Sequence, residues 1–307
     1  MNLRELRTLV EIDRIGSFAL AADRVGLTLS AVSLQMKALE DDLQLSLFDR
    51  THRPPAMTPV ARHVARHART ILSEVNSLRA IGTEPGVLRG EYRIGFVATA
   101  SVRLMPEFLA NAAQHQPGAR FVVESGLSTS LLRKVETGLL DAAVITATPD
   151  LRNDALFIAL RTEAFVLAVP KRFKGYGISQ CAGELTHVQF TPTTGIGLLV
   201  ASYLARLQIA PAKTLEIDSV EAVMGCVNAG FGFAVLPEPD ARRYAEAAHL
   251  TRLDATGLER QLGLIVRQDG PIAEQVLTLA ALFEEGNKPA GRIRIPRQRN
   301  RTGRSEK

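Results

Sequence analysis

The chain has no tryptophan, 4 tyrosines and 2 cysteines among 307 residues, and each shortage removes a class of function. Without Trp and with few Tyr, nothing suggests an aromatic platform of the kind on which single-stranded nucleic acid stacks. Cys181 and Cys226 are too few for a disulfide framework and stand in no CxxC or Cys/His metal spacing; they read as packing residues in a reducing compartment. No run approaches the roughly 18 apolar residues of a membrane span. The opening MNLRELRTLVEIDRIG alternates charged with apolar residues and has no uninterrupted apolar stretch of a leader. The expectation is a cytoplasmic protein that does not meet the membrane. Catalytic signatures are also missing. Gly195-Ile196-Gly197 and Gly230-Phe231-Gly232 lack the third glycine and downstream acid of a dinucleotide site, and there is no Walker lysine, nucleophile elbow or Ser/His/Asp set. His63 and His67, four apart, lack the glutamate and third ligand of a zinc motif and read as solvated. Neither catalysis, metal nor cofactor is expected.

What is present is ordinary soluble composition, 46% hydrophobic and 22% charged, long enough for about two domains. The net charge of +5 is unevenly spread. Residues 1–90 carry 12 basic and 10 acidic residues, 91–287 carry 17 and 21, and 288–307 carry 8 and 1. The basic character thus belongs mostly to the tail, and the head must be judged on its motifs.

Apolar residues recur at helical spacing through Leu3, Leu6 and Val10 until Gly16 stops the run. Ser17 can cap a second, Ala-rich helix closed by Gly26, and Thr28 a third that runs to about Leu43. On the third helix Val32, Met36, Leu39 and Leu43 form a buried stripe, and Ser30, Ser33, Leu34 and Lys37 fall on the opposite face. The text QLSLFDRTHRPPAMTP then reads as a short hairpin wing with Arg50, His52 and Arg53 in its turn. Thr58-Pro59 is a cap followed by a first-turn proline. From there Val60, Val64, Ala68, Ile71, Val75 and Leu78 make a seam with Arg62, His63, Arg66 and Arg69 outside it, a helix that calls for a partner helix.

Beyond Gly90 the pattern becomes alternating strands and helices. Strands are expected near residues 92–97, 120–124, 142–147, 165–169, 214–217, 233–236 and 262–267, with helices between, which predicts an open parallel or mixed sheet covered on both faces. Four strand-to-helix junctions present hydroxyls where helix N–H groups converge on a ligand: Thr99 with Ser101, Ser128, Thr194 with Gly195, and Ser219. As ordinary helix caps these same residues would have no ligand at all. The last 20 residues have no periodicity and read as a disordered basic tail.

The segment GSFALAADRVGLTLSAVSLQMKALEDDLQLSLFDR followed by MTP resembles the winged helix-turn-helix of LysR-type transcriptional regulators. Gly16-Ser17-Phe18, Ala21-Ala22, Ala31-Val32-Ser33, Leu39-Glu40, Leu47-Phe48-Asp49-Arg50 and Thr58-Pro59 carry the resemblance, and the order of parts behind them matches too. It implies an α/β chain in four parts: a helical winged head at 1–58, a dimerisation helix and hinge at 59–89, a two-lobed effector domain at 90–287 resembling periplasmic binding proteins, and a tail at 288–307. Lobe I is placed at about 90–161 with 266–287 and lobe II at about 162–265.

The chain departs from the family pattern at Leu29, where glutamine is usual, and at Leu34, often arginine; both changes weaken hydrogen-bonded base readout. The implied function is promoter binding biased by a small, often anionic effector. Thr28, Ser30, Ser33, Leu34, Lys37, Arg50 and Arg53 would face double-stranded DNA. Thr99, Ser101, Ser128, Thr194, Gly195 and Ser219 would face the effector. The resemblance further implies a homodimer through the linker seam, pairing again to a homotetramer, and contact with RNA polymerase. The competing readings are a solute-binding protein or an α/β enzyme with a helical head that does not bind DNA.

Overall fold

In the computed structural model, residues 1–51, 54–80, 86–148, 155–253, 257–268, 270 and 272–284 are described. The head begins with helix α1, Leu3–Ile15. Asn2 starts it through a capping box: its side chain accepts from the backbone N–H of Arg4 and Glu5, and the Glu5 carboxylate accepts from the Asn2 N–H at 2.9 Å. Helix α2, Phe18–Val25, is capped by Ser17 and closed by Gly26, whose φ of +69° needs a residue without a Cβ. Helix α3, Leu29–Leu43, is capped by the Thr28 hydroxyl, which accepts from Ala31 N at 3.2 Å. The two-residue strands β1, Phe48–Asp49, and β2, Ala56–Met57, pair antiparallel as the wing.

Helix α4, Pro59–Ala80, starts where Thr58 accepts from Ala61 N at 3.1 Å. Its 22 residues span about 33 Å at 1.5 Å per residue. One side of it completes the head, because Ala61, Ala65 and Ala68 lie in the same apolar cluster as Leu6, Leu9 and Ile12 of α1. The small side chains let the two helices approach. A boundary at 58/59 therefore cuts a core in two: the first half of α4 belongs to the head.

The remainder forms a nine-stranded sheet in the order β4-β3-β5-β11-β6-β9-β7-β8, with β10 also on β6. Lobe I contains β3 (Gly90–Val97), α5 (Ala98–His115), β4 (Ala119–Gly126), α6 (Ser128–Glu136) and β5 (Ala142–Thr146). Strand β6, Ala155–Pro170, is shared between lobes. Its first part pairs with β11 (Glu259–Arg267), and its last part pairs with β9 (Gly232–Pro237) and β10 (Ala248–Arg252). Lobe II also holds α7 (Ile178–Glu184), β7 (Thr186–Phe190), α8 (Gly195–Arg206), β8 (Lys213–Ile217), α9 (Val220–Asn228) and α10 (Glu238–Arg243). Helix α11, Val276–Ala281, returns to the lobe I core.

The division at 265/266 is corrected by the register: Leu262–Val266 pair residue by residue with Ala142–Thr146, so this part of β11 is a lobe I strand. Each lobe buries its own apolar clusters, one around Phe96, Phe108 and Phe283, and two on opposite sheet faces around Phe233 and Val223. Among the described residues, the paired strands β6 and β11 carry the chain between the lobes.

Candidate nucleic-acid interface and effector cleft

Helix α3 buries Val32, Met36 and Leu39 against α1 and α2 and leaves Ser30, Ser33, Leu34 and Lys37 on the other face, with Leu34 at 71% exposure. The Ser33 hydroxyl donates to Leu29 O at 2.9 Å, and the hydroxyls of Thr28 and Ser30 lie 3.0 Å apart at the N-terminus. Each oxygen keeps a lone pair that can still accept a hydrogen bond. Leu29 is exposed beside them, so the face offers apolar contacts flanked by hydroxyls. The wing is tied to α3 by Glu40, whose carboxylate accepts from Leu47 N, Phe48 N and the Arg50 guanidinium at 2.8, 3.0 and 2.8 Å. Arg50 is thereby a strut of the wing as well as an exposed cation. His52 and Arg53 lie outside the described residues.

The linker seam divides into two faces. Ala68 is buried against α1 and Val64 packs partly there. Val60, Ile71 and Leu78 stay 45%, 40% and 64% exposed. At 100° per residue these three fall within about 20° of one line, with Val64 and Val75 next to them. Ala68 is thus a core residue, not a free seam residue. Arg69, expected outside the seam, is also buried: its guanidinium meets the Asp13 carboxylate, and burial lowers its pKa against the pull of Asp13. His63 and His67 are exposed, their Nε2 atoms 3.2 Å apart.

Two compartments lie between the lobes and share Thr99 and Phe190. One, about 30 Å³, is lined by Thr99, Ser128, Thr146, Phe190, Thr194 and Gly195. The other, about 230 Å³, is lined by Thr99, Val102, Phe190, Ser219, Val220 and Tyr244 among others. Ser101 lines neither, because its hydroxyl turns back to Ala98 O at 2.7 Å. Thr194 accepts from Gly197 N at 3.0 Å and donates to Thr191 O at 2.7 Å, and Ser219 accepts from Ala222 N at 3.3 Å, so both are helix caps that also border the cleft. Gly195 serves close approach: a Cβ there would stand 2.7 Å from Thr146 Cβ of the opposite lobe. The neighbouring glycines have packing reasons too, since a Cβ on Gly197 or Gly232 would strike the carbonyl of Thr191 or Thr186.

Thr99 leads into a buried ionic group that the spacing of residues does not reveal. Arg260, fully buried at the start of β11, donates to Thr99 Oγ1 at 2.9 Å, to Glu163 on β6 and to Asp240 on α10 at 2.8 Å. Arg103 on α5 bridges the same two carboxylates at 2.6 and 2.8 Å. Two cations and two anions balance, which is the condition for burying any of them. Burial pushes the Asp240 carboxyl up, against Arg260 and Arg103, which pull it down. Burial opposes the charge on Arg103, yet Asp240 and Glu163 raise its pKa above the ordinary arginine value. The polar interruption Arg161-Thr162-Glu163 inside an apolar strand is the signal that could have found it. Both crossing strands and one helix of each lobe meet in this cluster. Because Thr99 accepts from Arg260, its own proton remains to be donated into the cleft.

Among the described residues no group of three His, Cys, Asp or Glu could hold a metal ion, and no helix is long and apolar enough to cross a membrane.

With this geometry in view, comparison with known proteins gives a consistent result. The family profile "LysR substrate binding domain" matches residues 85–288, and "Bacterial regulatory helix-turn-helix protein, lysR family" matches 3–62. The chain is similar to the HTH-type transcriptional regulator CfxR of Cupriavidus necator, 29% identical over 77% of this chain and 75% of that one. It is also similar to the nitrogen assimilation regulatory protein nac of Klebsiella aerogenes, 27% identical over 90% and 92%. Among solved structures, a full-length OxyR cysteine variant from Pseudomonas aeruginosa superposes with a TM-score of 0.72 at 24% identity, covering 92% and 94% of the two chains. CbnR in complex with its target DNA gives 0.60 at 19% identity, covering 92% and 100%. These two likenesses concern the fold.

Proposed function

The chain belongs to the LysR family, DNA-binding transcription regulators with an effector-binding domain, and from that membership we propose how its two ligands are read. It is a regulator and not an enzyme, as are the relatives named above. Family members bind promoter DNA and small-molecule effectors. In this chain Ser30, Ser33, Leu34 and Lys37 enter the major groove from α3. Leu34 makes apolar contact with thymine methyl groups, Lys37 meets a guanine or a phosphate, and Arg50 with Arg53 of the wing holds backbone phosphates. Val60, Ile71 and Leu78 pair α4 with a second copy in a homodimer, effector domains pair dimers into a tetramer, and the assembly works in the cytoplasm with RNA polymerase.

The effector sits in the inter-lobe cleft. The observation that carries this is the Thr99 hydroxyl, polarised by buried Arg260 and bordering both compartments. Its proton and the Ser128 hydroxyl receive an anionic group, and Phe190, Val102 and Val220 border the apolar body. The larger compartment, about 230 Å³, falls below the roughly 300–1,000 Å³ of drug-sized pockets, which favours a small effector. The ligand acts by preferring one lobe arrangement, since coupling requires differential affinity for two states.

Thr99→Val keeps the volume and removes the hydroxyl. We expect promoter affinity without effector to stay unchanged and the effector response in a reporter assay to fall about tenfold, the cost of one charge-assisted hydrogen bond. Normal response in this variant and in Ser128→Ala places the effector elsewhere.

A further inference from the structure

A cavity larger than either compartment of the cleft lies outside it, between the head and lobe I, and holds about 560 Å³. Its head wall carries Arg7, Arg14, Arg24 and Arg69, and its lobe I wall carries Arg93, Arg120 and Arg267. Glu11, Glu91 and Asp141 are the acidic residues that line it, and Asp13 stands behind Arg69, four carboxylates against seven guanidinium groups. Partners are unevenly shared. Arg14 is held by Glu11 at 2.7 Å and Arg69 by Asp13, Arg93 and Arg120 divide Glu91 at 3.2 and 3.6 Å, and Arg93 also reaches Glu11 across the walls at 3.7 Å. Asp141 accepts from the Arg93 backbone N–H at 2.7 Å; its burial raises the carboxyl pKa, against the pull of Arg93 and Arg267. Arg7 and Arg24 have no ion pair among the described residues, and Arg267 has only the longer-range attraction of Asp141.

We propose that this cavity is a binding site for a small molecule bearing a diphosphate or triphosphate group, which bridges the DNA-binding head to lobe I. Converging guanidinium groups repel one another, and a concave site of one sign concentrates ions of the other. The planar fork of arginine matches phosphate oxygens in pairs, and several forks from two walls select a polyanion over a single charge. The volume fits a metabolite within the usual range of about 300–1,000 Å³. At the junction of the walls lies Gly138, whose φ of +70° favours glycine; a Cβ there would be in ordinary contact with the Arg267 guanidinium at 3.6 Å and Arg69 Cβ at 3.8 Å. Across that point the two walls come together, so an anion held by both fixes the head against the effector domain. This gives the regulator a second chemical input, separate from the inter-lobe cleft and acting directly on the orientation of α3.

The test is calorimetric titration of the full-length chain with inorganic pyrophosphate and tripolyphosphate at constant ionic strength, set by sodium chloride. Saturable binding is expected, tighter for tripolyphosphate, weakened about tenfold by Arg24→Gln on the head and again by Arg267→Gln on lobe I, as removal of one charged hydrogen-bond donor implies. Arg133→Gln, outside the cavity, should leave it unchanged, and Arg24→Lys should restore part of the affinity while circular dichroism stays native. Three results overturn the proposal. The first is equal binding in all variants. The second is weakening in Arg267→Gln without weakening in Arg24→Gln, which confines the anion to lobe I. The third is absence of pyrophosphate binding together with a shallower salt dependence of promoter binding in Arg24→Gln, which makes these arginines a DNA-phosphate surface.

Discussion

At His187 the ring is 1% exposed, stacked on Phe233 at 4.9 Å, and neither ring nitrogen has a hydrogen-bond partner among the described residues. A cavity of about 20 Å³ beside it has room for roughly one water. Burial lowers the imidazole pKa from 6.5 to about 4, so the folded protein keeps the ring neutral while the unfolded chain takes up a proton below about pH 6.5. Stability from this group is therefore full above pH 6.5 and is lost as pH falls from there to about 4, in total about 3 kcal/mol. His187→Leu should remove this part of the acid sensitivity. Urea unfolding of both proteins between pH 7.5 and 4.5 checks it, and parallel curves would show that the ring is not buried neutral. Cys181 is a second buried residue whose chemistry the environment decides: burial raises its thiol to about 11, which makes it inert at neutral pH. Thr99 is the opposite case. It is poised by a charged neighbour toward the cleft, whereas Thr194 and Ser219, equal to it in sequence terms, are used up in part as caps.

At the scale of elements, α4 shows what periodicity can and cannot give. Six apolar positions predict one seam, but a helix has more than one face, and alanine is small enough to be core against α1. Only the packing of the two helices tells Ala61, Ala65 and Ala68 from Val60, Ile71 and Leu78. At about 25 cal/mol per Å², covering the exposed stripe favours association with a second copy. Ile71→Asp should shift sedimentation from dimer toward monomer and weaken promoter binding about a hundredfold through reduced avidity, although Ile71 is not among the DNA-facing residues. An unchanged oligomer would move the interface off this helix.

The helices of the head are legible because caps, glycine stops and apolar spacing agree at Ser17, Gly26, Thr28 and Thr58. Strand β7 and the first half of β6 carry no such signal: Thr186–Phe190 is short, and Arg161, Thr162 and Glu163 break the apolar run. Glu163 serves the buried ionic cluster where the strand crosses between lobes, and Arg161 donates to the Phe283 carbonyl at 2.7 Å. Of the cleft, the junction hydroxyls are visible in sequence. Arg260 and Asp240 are not, since Arg260 reaches Glu163 across 97 residues and Asp240 across 20.

For the whole molecule, the head of this DNA-binding regulator carries only 12 basic against 10 acidic residues in positions 1–90. If α3 faces DNA as proposed, Leu29 and Leu34 offer it no polar or charged contacts, which leaves room for electrostatic affinity supplied by another part of the chain. Residues 288–307 hold 8 basic residues and 1 acidic one, and they lie outside the described residues. Such a segment neutralises phosphates and releases counterions without holding a register on base edges. Ending the chain after Glu285 should therefore reduce the slope of log affinity against log salt by several units, at about 0.9 for each phosphate no longer neutralised, and leave the preferred sequence unchanged. Titration of promoter and scrambled duplexes at a series of salt concentrations measures both quantities at once. A shallower slope with an unaltered ratio between the duplexes assigns the tail to affinity alone. An unaltered slope assigns it to solubility, and a fall in the ratio would mean that the tail reads sequence after all.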